Sequence, residues 1–547
     1  MVALLSCSGR QTSVGTAPNG FVQANPQFDD GFGYSVMLSA DGTTLAVGAT
    51  GESSLAIGID GNQSDNSAES AGAVYIFTRS NGRESQQAYV KASNTEPYDL
   101  FGRSVALSAD GNTLAVGAPG EGSLDGTQED NSAPGAGAVY IFTRSGAVWS
   151  QQAYVKALNP GGNDSFGQSV ALSADGATLA VGAPGESSLD GNQADNSASN
   201  AGAVYLYTRS NAVWSQQAYV KASNIEAYDF FGRSVVLSAD GATLAVGAPG
   251  ESSLDGNQAD NSASGAGAVY LFTRSNTVWL QQAYVKASNP GDGDGFGQSV
   301  ALDAAGATLA VGATGESSQA RGINGSQTDE LAPGAGAVYL FARNNALWSQ
   351  QAYVKASNTA PYDFFGRSVA LSADGGTLTV GAIGESSMGG NQSDNSADSA
   401  GAVYLFARNN TLWSQQAYVK ASNPGGSDGF GQSVTLSADG TILTVGAIGE
   451  GSIATGVDGS QTDNSSPGSG AVYLFARNNA VWSQQDYVKA SNTGDSDASG
   501  QLAALSTAAF KGKPARSSVS HKGVESSLRL VGLTKEMGPS NRRRVGA

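Results

Sequence analysis

Between Ser234 and Ser288 the chain alternates short apolar runs with compact polar breaks. "SVVLSA" (Ser234–Ala239) is rich in β-branched and apolar residues, and "LAVGA" (Leu244–Ala248) returns after "DGAT". Runs of this length around an Asp-Gly pair predict two strands joined by a tight hairpin. After a longer polar loop, "GAVYLFTR" (Gly267–Arg274) predicts a third strand, apolar on both faces. A short "SNT" turn leads to "VWLQQAYVKAS" (Val278–Ser288), a more polar fourth strand whose mixed character suits a sheet edge. The inner runs lack clean in/out alternation, which predicts burial on both faces.

This pattern is repeated along the chain. A Phe-Gly pair recurs at Phe32, Phe101, Phe166, Phe231, Phe296, Phe365 and Phe430, in steps of 65 or 69 residues. All six tryptophans occupy one repeat position, and so does every lysine before Lys511: Lys91, Lys156, Lys221, Lys286, Lys355, Lys420 and Lys489. A longer period is superimposed, because repeats two, four and six read "FGRSV" whereas three, five and seven read "FGQSV". Four antiparallel strands buried on both faces cannot be satisfied by one repeat, so neighbouring sheets must pack face to face. The expectation is an all-β fold, a seven-bladed β-propeller of four-stranded antiparallel blades spanning residues 20–492. The small residues of "AVGA" suit strands crowded near an axis. "GFVQANP" (Gly20–Pro26) resembles a stray fourth strand that could take part in ring closure. An eighth repeat begins after residue 492, with Ser499 where a phenylalanine would stand, and then dissolves. Residues 493–547 are read as this degenerate start followed by a basic, disordered tail.

Composition narrows the function. The chain has 547 residues, a formal charge of −18 and 74 glycines, a mix that fits many tight turns in an acidic protein. Such acidity argues against nucleic acid as a partner. There is one cysteine, Cys7, and one histidine, His521, which lies outside the repeats. A Cys/His zinc site and a histidine-based nucleophile are therefore absent from the repeated region. No apolar run is long enough to span a membrane. The start, "MVALLSCSGR", lacks the basic and apolar regions of a complete signal peptide. "LLSC" nevertheless looks like the end of a bacterial lipoprotein signal, so residues 1–19 are expected to be the remnant of one, with Cys7 as candidate lipid anchor. The alternative is an unstructured terminus with an incidental cysteine.

The motifs "FGRSV" or "FGQSV", then "VGAPGE" (Val181–Glu186, Val246–Glu251), then "GAVYLF" (Gly267–Phe272) resemble the FG-GAP repeats of integrin α-subunit propellers and their bacterial relatives. The resemblance covers about residues 20–492. It implies a seven-bladed propeller working outside the cytoplasm in adhesion or ligand binding. Integrin-type repeats often carry an Asp-rich calcium loop between the FG and GAP strands. Here that connection is only "SADGAT" (Ser238–Thr243) or a close variant, so Asp240 and its equivalents read as turn formers and the family's calcium site does not carry over there.

The candidate site is the loop between the second and third strands, which holds all the length variation among complete repeats; repeats one, five and seven carry four extra residues. Insertions in repeat proteins map to exposed loops, often on the binding face. In a meander this loop shares one face with the links between blades, and acids accumulate there. The "GE" glutamate stands in every repeat (Glu52, Glu121, Glu186, Glu251, Glu316, Glu385, Glu450), as does a later aspartate (Asp65, Asp130, Asp195, Asp260, Asp329, Asp394, Asp463). An earlier aspartate stands at Asp60, Asp125, Asp190, Asp255 and Asp458, replaced by Asn324 and Gly389 elsewhere. The links add Asp99, Asp164, Asp229, Asp292, Asp294, Asp363 and Asp428.

Two readings fit the loop. Asp125 with Asp130, Asp190 with Asn192 and Asp195, and Asp255 with Asn257 and Asp260 supply the oxygen ligands that calcium needs. The same side chains also bond their own backbone in Asx-turns. Overall the sequence points to a non-enzymatic, monomeric propeller, secreted or held at a bacterial cell surface or outer membrane. Its expected role is adhesion, or binding of a protein or glycan through the strand 2–3 and blade-link loops. A calcium-stabilised spacer in an envelope assembly is the alternative, and a propeller hydrolase a more remote one.

Overall fold

The computed structural model describes residues 31–124, 126–189, 195–254 and 256–491. All lie within one compact unit. Cys7, the stray-strand segment Gly20–Pro26, Ser499 and the basic tail fall outside the described residues.

The described residues form twenty-eight strands and no helix, arranged as seven antiparallel four-stranded sheets. Each sheet takes its four strands consecutively from the chain. The first blade is Phe32–Leu38, Thr44–Ala49, Ala73–Ser80 and Arg83–Val90; the fourth is Ser234–Leu237, Thr243–Ala248, Ala268–Ser275 and Val278–Val285. The seventh, Phe430–Leu436, Ile442–Ala447, Ala471–Asn478 and Val481–Val488, packs against the first and closes the ring. The predicted strands are present, with ends shifted by one to three residues.

The Asp-Gly turn is built as its chemistry requires. Ser238 Oγ donates to Asp240 Oδ1 at 2.6 Å, the same oxygen accepts the Ala242 amide at 2.9 Å, and Gly241 takes φ 63°. Asp240 thus acts as a turn former.

The FG strands are innermost and pack on one another around the axis. The "AVGA" strands lie second, so their small residues answer a different crowding from the one expected. A Cβ on Gly247 would collide with the carbonyl oxygen of Gly297 in the next blade. Gly297 itself holds φ 95° with the Ala268 carbonyl of the preceding blade against it. Glycine is required at both positions because two backbones touch between blades.

The core is a set of inter-blade layers. Phe296 is fully buried and meets the rings of Tyr339 and Phe341 edge-on at 5.4 and 6.0 Å, while Val269 and Leu271 of blade four close the other side. The tryptophans are packing residues. Trp279 donates its indole N–H to Gln217 of the preceding blade at 3.1 Å, with the Arg274 guanidinium 5.6 Å from its ring.

Candidate functional site

The strand 2–3 loops and the blade links do share one face. The link residue Tyr98 donates its amide to Glu69 in the loop of the preceding blade at 2.8 Å, and Gly120 of the next loop donates to Asp99 at 3.1 Å. Each link is therefore clasped between two loops.

The acids of this face do not form the open carboxylate surface expected from the sequence. All seven "GE" glutamates are buried, and each pairs with the lysine of its own blade. In blade four, Glu251 Oε2 accepts from Lys286 Nζ at 2.9 Å, from the Ser253 amide at 3.2 Å and from Ser253 Oγ at 3.1 Å. Its Oε1 accepts from Asn224 of the incoming link at 3.1 Å, and Tyr270 donates to the Asn224 carbonyl oxygen at 2.6 Å. Tyr284 completes the network through Ser253. A buried charge pair with filled hydrogen-bond positions holds loop, outer strand and link together. The sequence showed an unvarying glutamate and an unvarying lysine in every repeat. Their equal frequency was the available signal that they are partners.

Most link aspartates are also internal. Asp229 is buried and accepts the Glu226 amide at 3.1 Å, capping the link turn; burial, with Glu251 nearby, pushes its carboxyl up to about 7. Asp99, Asp164, Asp294, Asp363 and Asp428 repeat the arrangement. Asp292 alone of the predicted link acids is exposed.

The later loop aspartates point into their own loops. Asp260 Oδ2 accepts the Leu254 amide at 3.1 Å, and its two oxygens take the Ser262 amide at 3.2 Å and hydroxyl at 2.9 Å. Asp130 and Asp195 make the same contacts, and these bonds hold all three carboxyls below the usual aspartate range. Asn257 accepts the Ala259 amide at 3.3 Å. This is Asx-turn chemistry, the second of the two readings. Asp125, Asp190, Asn192 and Asp255 lie outside the described residues. Among the described residues no group of three or more acids, histidines or cysteines is placed to hold a metal ion.

The four-residue insertions have a different role from the one expected. In blade five the inserted segment folds back on the outer strand: Ile323 bridges Val354, the Asn324 amide donates to the Tyr353 carbonyl at 2.7 Å, and Asn324 Oδ1 accepts the Tyr353 amide at 2.9 Å. Asp60 against Tyr89 and Asp458 against Tyr487 do the same in blades one and seven. All three hold φ between 53° and 56°, a left-handed conformation that Asp and Asn tolerate. The insertions thus cover exposed sheet edges.

Among the side chains that the loops expose, one position is regularly apolar. Three residues after the buried glutamate, it carries an exposed aliphatic side chain in six blades: Leu55, Leu124, Leu189, Leu254, Met388 and Ile453. Exposed link tyrosines Tyr98, Tyr228 and Tyr362 stand on the same face.

The FG-GAP repeat family model matches residues 85–142, 149–207, 214–272, 279–341, 348–406 and 413–475. No curated protein matches the chain significantly. Among solved structures, the periplasmic gluconolactonase PpgL of Pseudomonas aeruginosa is 16% identical, with 78% of this chain and 94% of that one covered and a TM-score of 0.44. A protein from Lactobacillus plantarum is 14% identical over 77% and 93%, with a TM-score of 0.45. The β-propeller domain of Cps50 (Swd1) from Myceliophteria thermophila is 12% identical over 77% and 95%, with a TM-score of 0.42.

Proposed function

The chain belongs to the FG-GAP repeat family, and from that premise we propose that it is a non-enzymatic binding propeller acting outside the cytoplasm. It engages a protein or glycan through the face made by the strand 2–3 loops and blade links. The observation that carries this reading is the ring of exposed aliphatic side chains repeated in six blades, with link tyrosines beside it. Apolar side chains displayed at one blade-regular position, on loops stapled by Asp260 and its equivalents, form a preorganised contact surface. The non-enzymatic reading is supported by the state of the acids: the glutamates of the face are locked to lysines, and the link aspartates cap turns.

The test is a binding screen of the full chain against matrix proteins and glycan arrays, in calcium and in chelator. The same screen is run on a variant carrying Leu124→Asp, Leu189→Asp and Leu254→Asp. The triple variant is expected to lose any captured ligand while keeping its melting temperature. Unchanged binding would move the site off this face. Loss in chelator alone would favour the calcium-dependent alternative.

A further inference from the structure

After the FG glycine the repeats alternate between Arg and Gln. Around the ring this position is Tyr34, Arg103, Gln168, Arg233, Gln298, Arg367 and Gln432. It lies at or just before the start of the innermost strands, and side chains at this position meet one another. The Arg103 guanidinium stands 4.2 Å from the Tyr34 ring centre, and Arg367 Nε donates to Gln432 Oε1 at 2.9 Å. With its amide turned to satisfy both neighbours, Gln168 presents its oxygen to Arg233 Nη1 at 2.5 Å and to Arg103 Nη2 at 3.1 Å.

The seven positions therefore gather three positive side chains and no negative one, in an acidic protein. Arg233 and Arg367 enter none of the salt bridges among the described residues. Burial and the neighbouring guanidiniums push Arg103 down to about 9 and Arg367 to about 10. Like charges held close together repel one another, and an anion relieves that repulsion. Space for one is present. Beside the ring a cavity of about 500 Å³ is lined by Gln168, Arg233 and Gln298 together with Asn163 and Asn200; Arg233 is the ring arginine that lines it.

We propose that the axial ring is a binding site for a small multivalent oxyanion of the phosphate or sulfate type, free or as the terminal group of a small ligand. Guanidinium forks bind tetrahedral oxyanions in bidentate fashion, and the glutamine amides add neutral donors. The acidic exterior repels long polyanions, so the site selects a ligand small enough to sit at the axis. The proposal rests on the arginines of the ring and not on the exposed aliphatic side chains of the loop face, although the cavity opens among loop and link residues.

The test is calorimetric titration and thermal melting of the full chain with inorganic phosphate and with sulfate, at low ionic strength in an amine chloride buffer. Wild type is compared with Arg233→Gln, Arg367→Gln and the double variant. Glutamine already occupies this position in blades three, five and seven, so the fold accepts it. Phosphate should raise the melting temperature of wild type. Arg233→Gln should bind about tenfold more weakly, Arg367→Gln, which adds only its charge to the ring, should bind more weakly by less than that, and the double variant should not respond. Arg274→Gln, beside Trp279, should behave as wild type. Tighter binding of a hexose phosphate than of phosphate would identify a terminal group; tighter binding of phosphate would identify the free ion. Absence of heat and of a melting shift with both ions, an equal response of the double variant, or equal binding of the neutral hexose would overturn the proposal. If the double variant fails to fold, the single variants supply the same comparison.

Discussion

The Ala438 amide donates to the Ala40 carbonyl at 2.9 Å, joining the last Asp-Gly turn to the first. The same bond runs from Ala40 to Ala109, then to Ala174, Ala239, Ala304, Ala373 and back to Ala438, at 2.8 to 3.0 Å throughout. Seven turns are thus linked by one closed cycle of backbone hydrogen bonds. Closure matters here because, among the described strands, no blade borrows a strand from the other end of the chain. The seam is held by the turn bond, Ser433 Oγ on the Gly33 carbonyl at 3.1 Å, the packing of Val472 and Leu474 on Phe32, and the Arg79–Asp486 ion pair.

Native-state hydrogen exchange should therefore find all seven alanine amides protected to a similar degree. Opening at the seam would instead show as faster exchange at Ala438 than at Ala174 or Ala239, since local opening reports in that way.

Glu251→Gln should destabilise the propeller by about 3 kcal/mol in urea unfolding, because it leaves Lys286 charged and buried against a neutral amide. Replacing both partners, Glu251→Gln with Lys286→Met, should recover much of the loss. If the single and double variants unfold alike, the pair contributes no coupling.

The strands, their order and the blade count were legible because hairpin and apolar signals repeat seven times, so chance matches average out. What the sequence hid was the destination of charge. Glu251 and Asp229 read as surface acids because carboxylates are rarely buried, and nothing local announces a partner 35 residues away. The Asp60, Asn324 and Asp458 positions were hidden for another reason. Aligned with Asp255 and Gly389 by sequence, they are pinned to the outer strand in the three blades where four residues are inserted.

Asn324→Ala should expose the Tyr353 amide by removing its acceptor at 2.9 Å. The expected stability change is about 1 kcal/mol, with faster exchange confined to blade five. Asn324→Asp should preserve protection, since Asp60 makes the same bond to Tyr89 at 2.9 Å. Global acceleration of exchange in Asn324→Ala would show that the insertion supports more than its own edge.

Stability should fall as pH rises from about 4 to about 8. The link carboxyls Asp164, Asp229, Asp294, Asp363 and Asp428 are pushed up by burial from 3.8 to about 7, and Asp99 to about 8. In that window the folded state binds more protons than the unfolded state, so the derivative is negative, about 1.4 kcal/mol per pH unit for each carboxyl in play. The turn and loop aspartates Asp110, Asp260, Asp374 and Asp463 are lowered by their hydrogen bonds, so their contribution is present above 3.8 and lost in stronger acid. The melting temperature should peak just above pH 4. Asp229→Asn, which keeps an acceptor for the Glu226 amide, should flatten the decline; an unchanged slope would remove the link carboxyls as its cause.

The seam carries a defect that can be repaired. Blade one has Glu84 where the other six blades have tryptophan, and blade seven has Asp486 where the others have alanine. Both are buried, with Arg79 3.8 Å from Asp486, and burial pushes Glu84 up to about 7. Neither Glu84 oxygen finds a hydrogen-bond partner among the described residues. At the next junction Trp149 donates to Gln87 of the preceding blade at 2.9 Å, and Gln485 stands at the equivalent place across the seam. Glu84→Trp combined with Asp486→Ala should therefore raise stability by about 1–4 kcal/mol, the usual gain when a buried ionic cluster becomes well-packed apolar contact. The gain should be largest above pH 7, where Glu84 must otherwise ionise in place. A lower melting temperature in the double variant at that pH would mean that the Arg79 cluster fastens the ring.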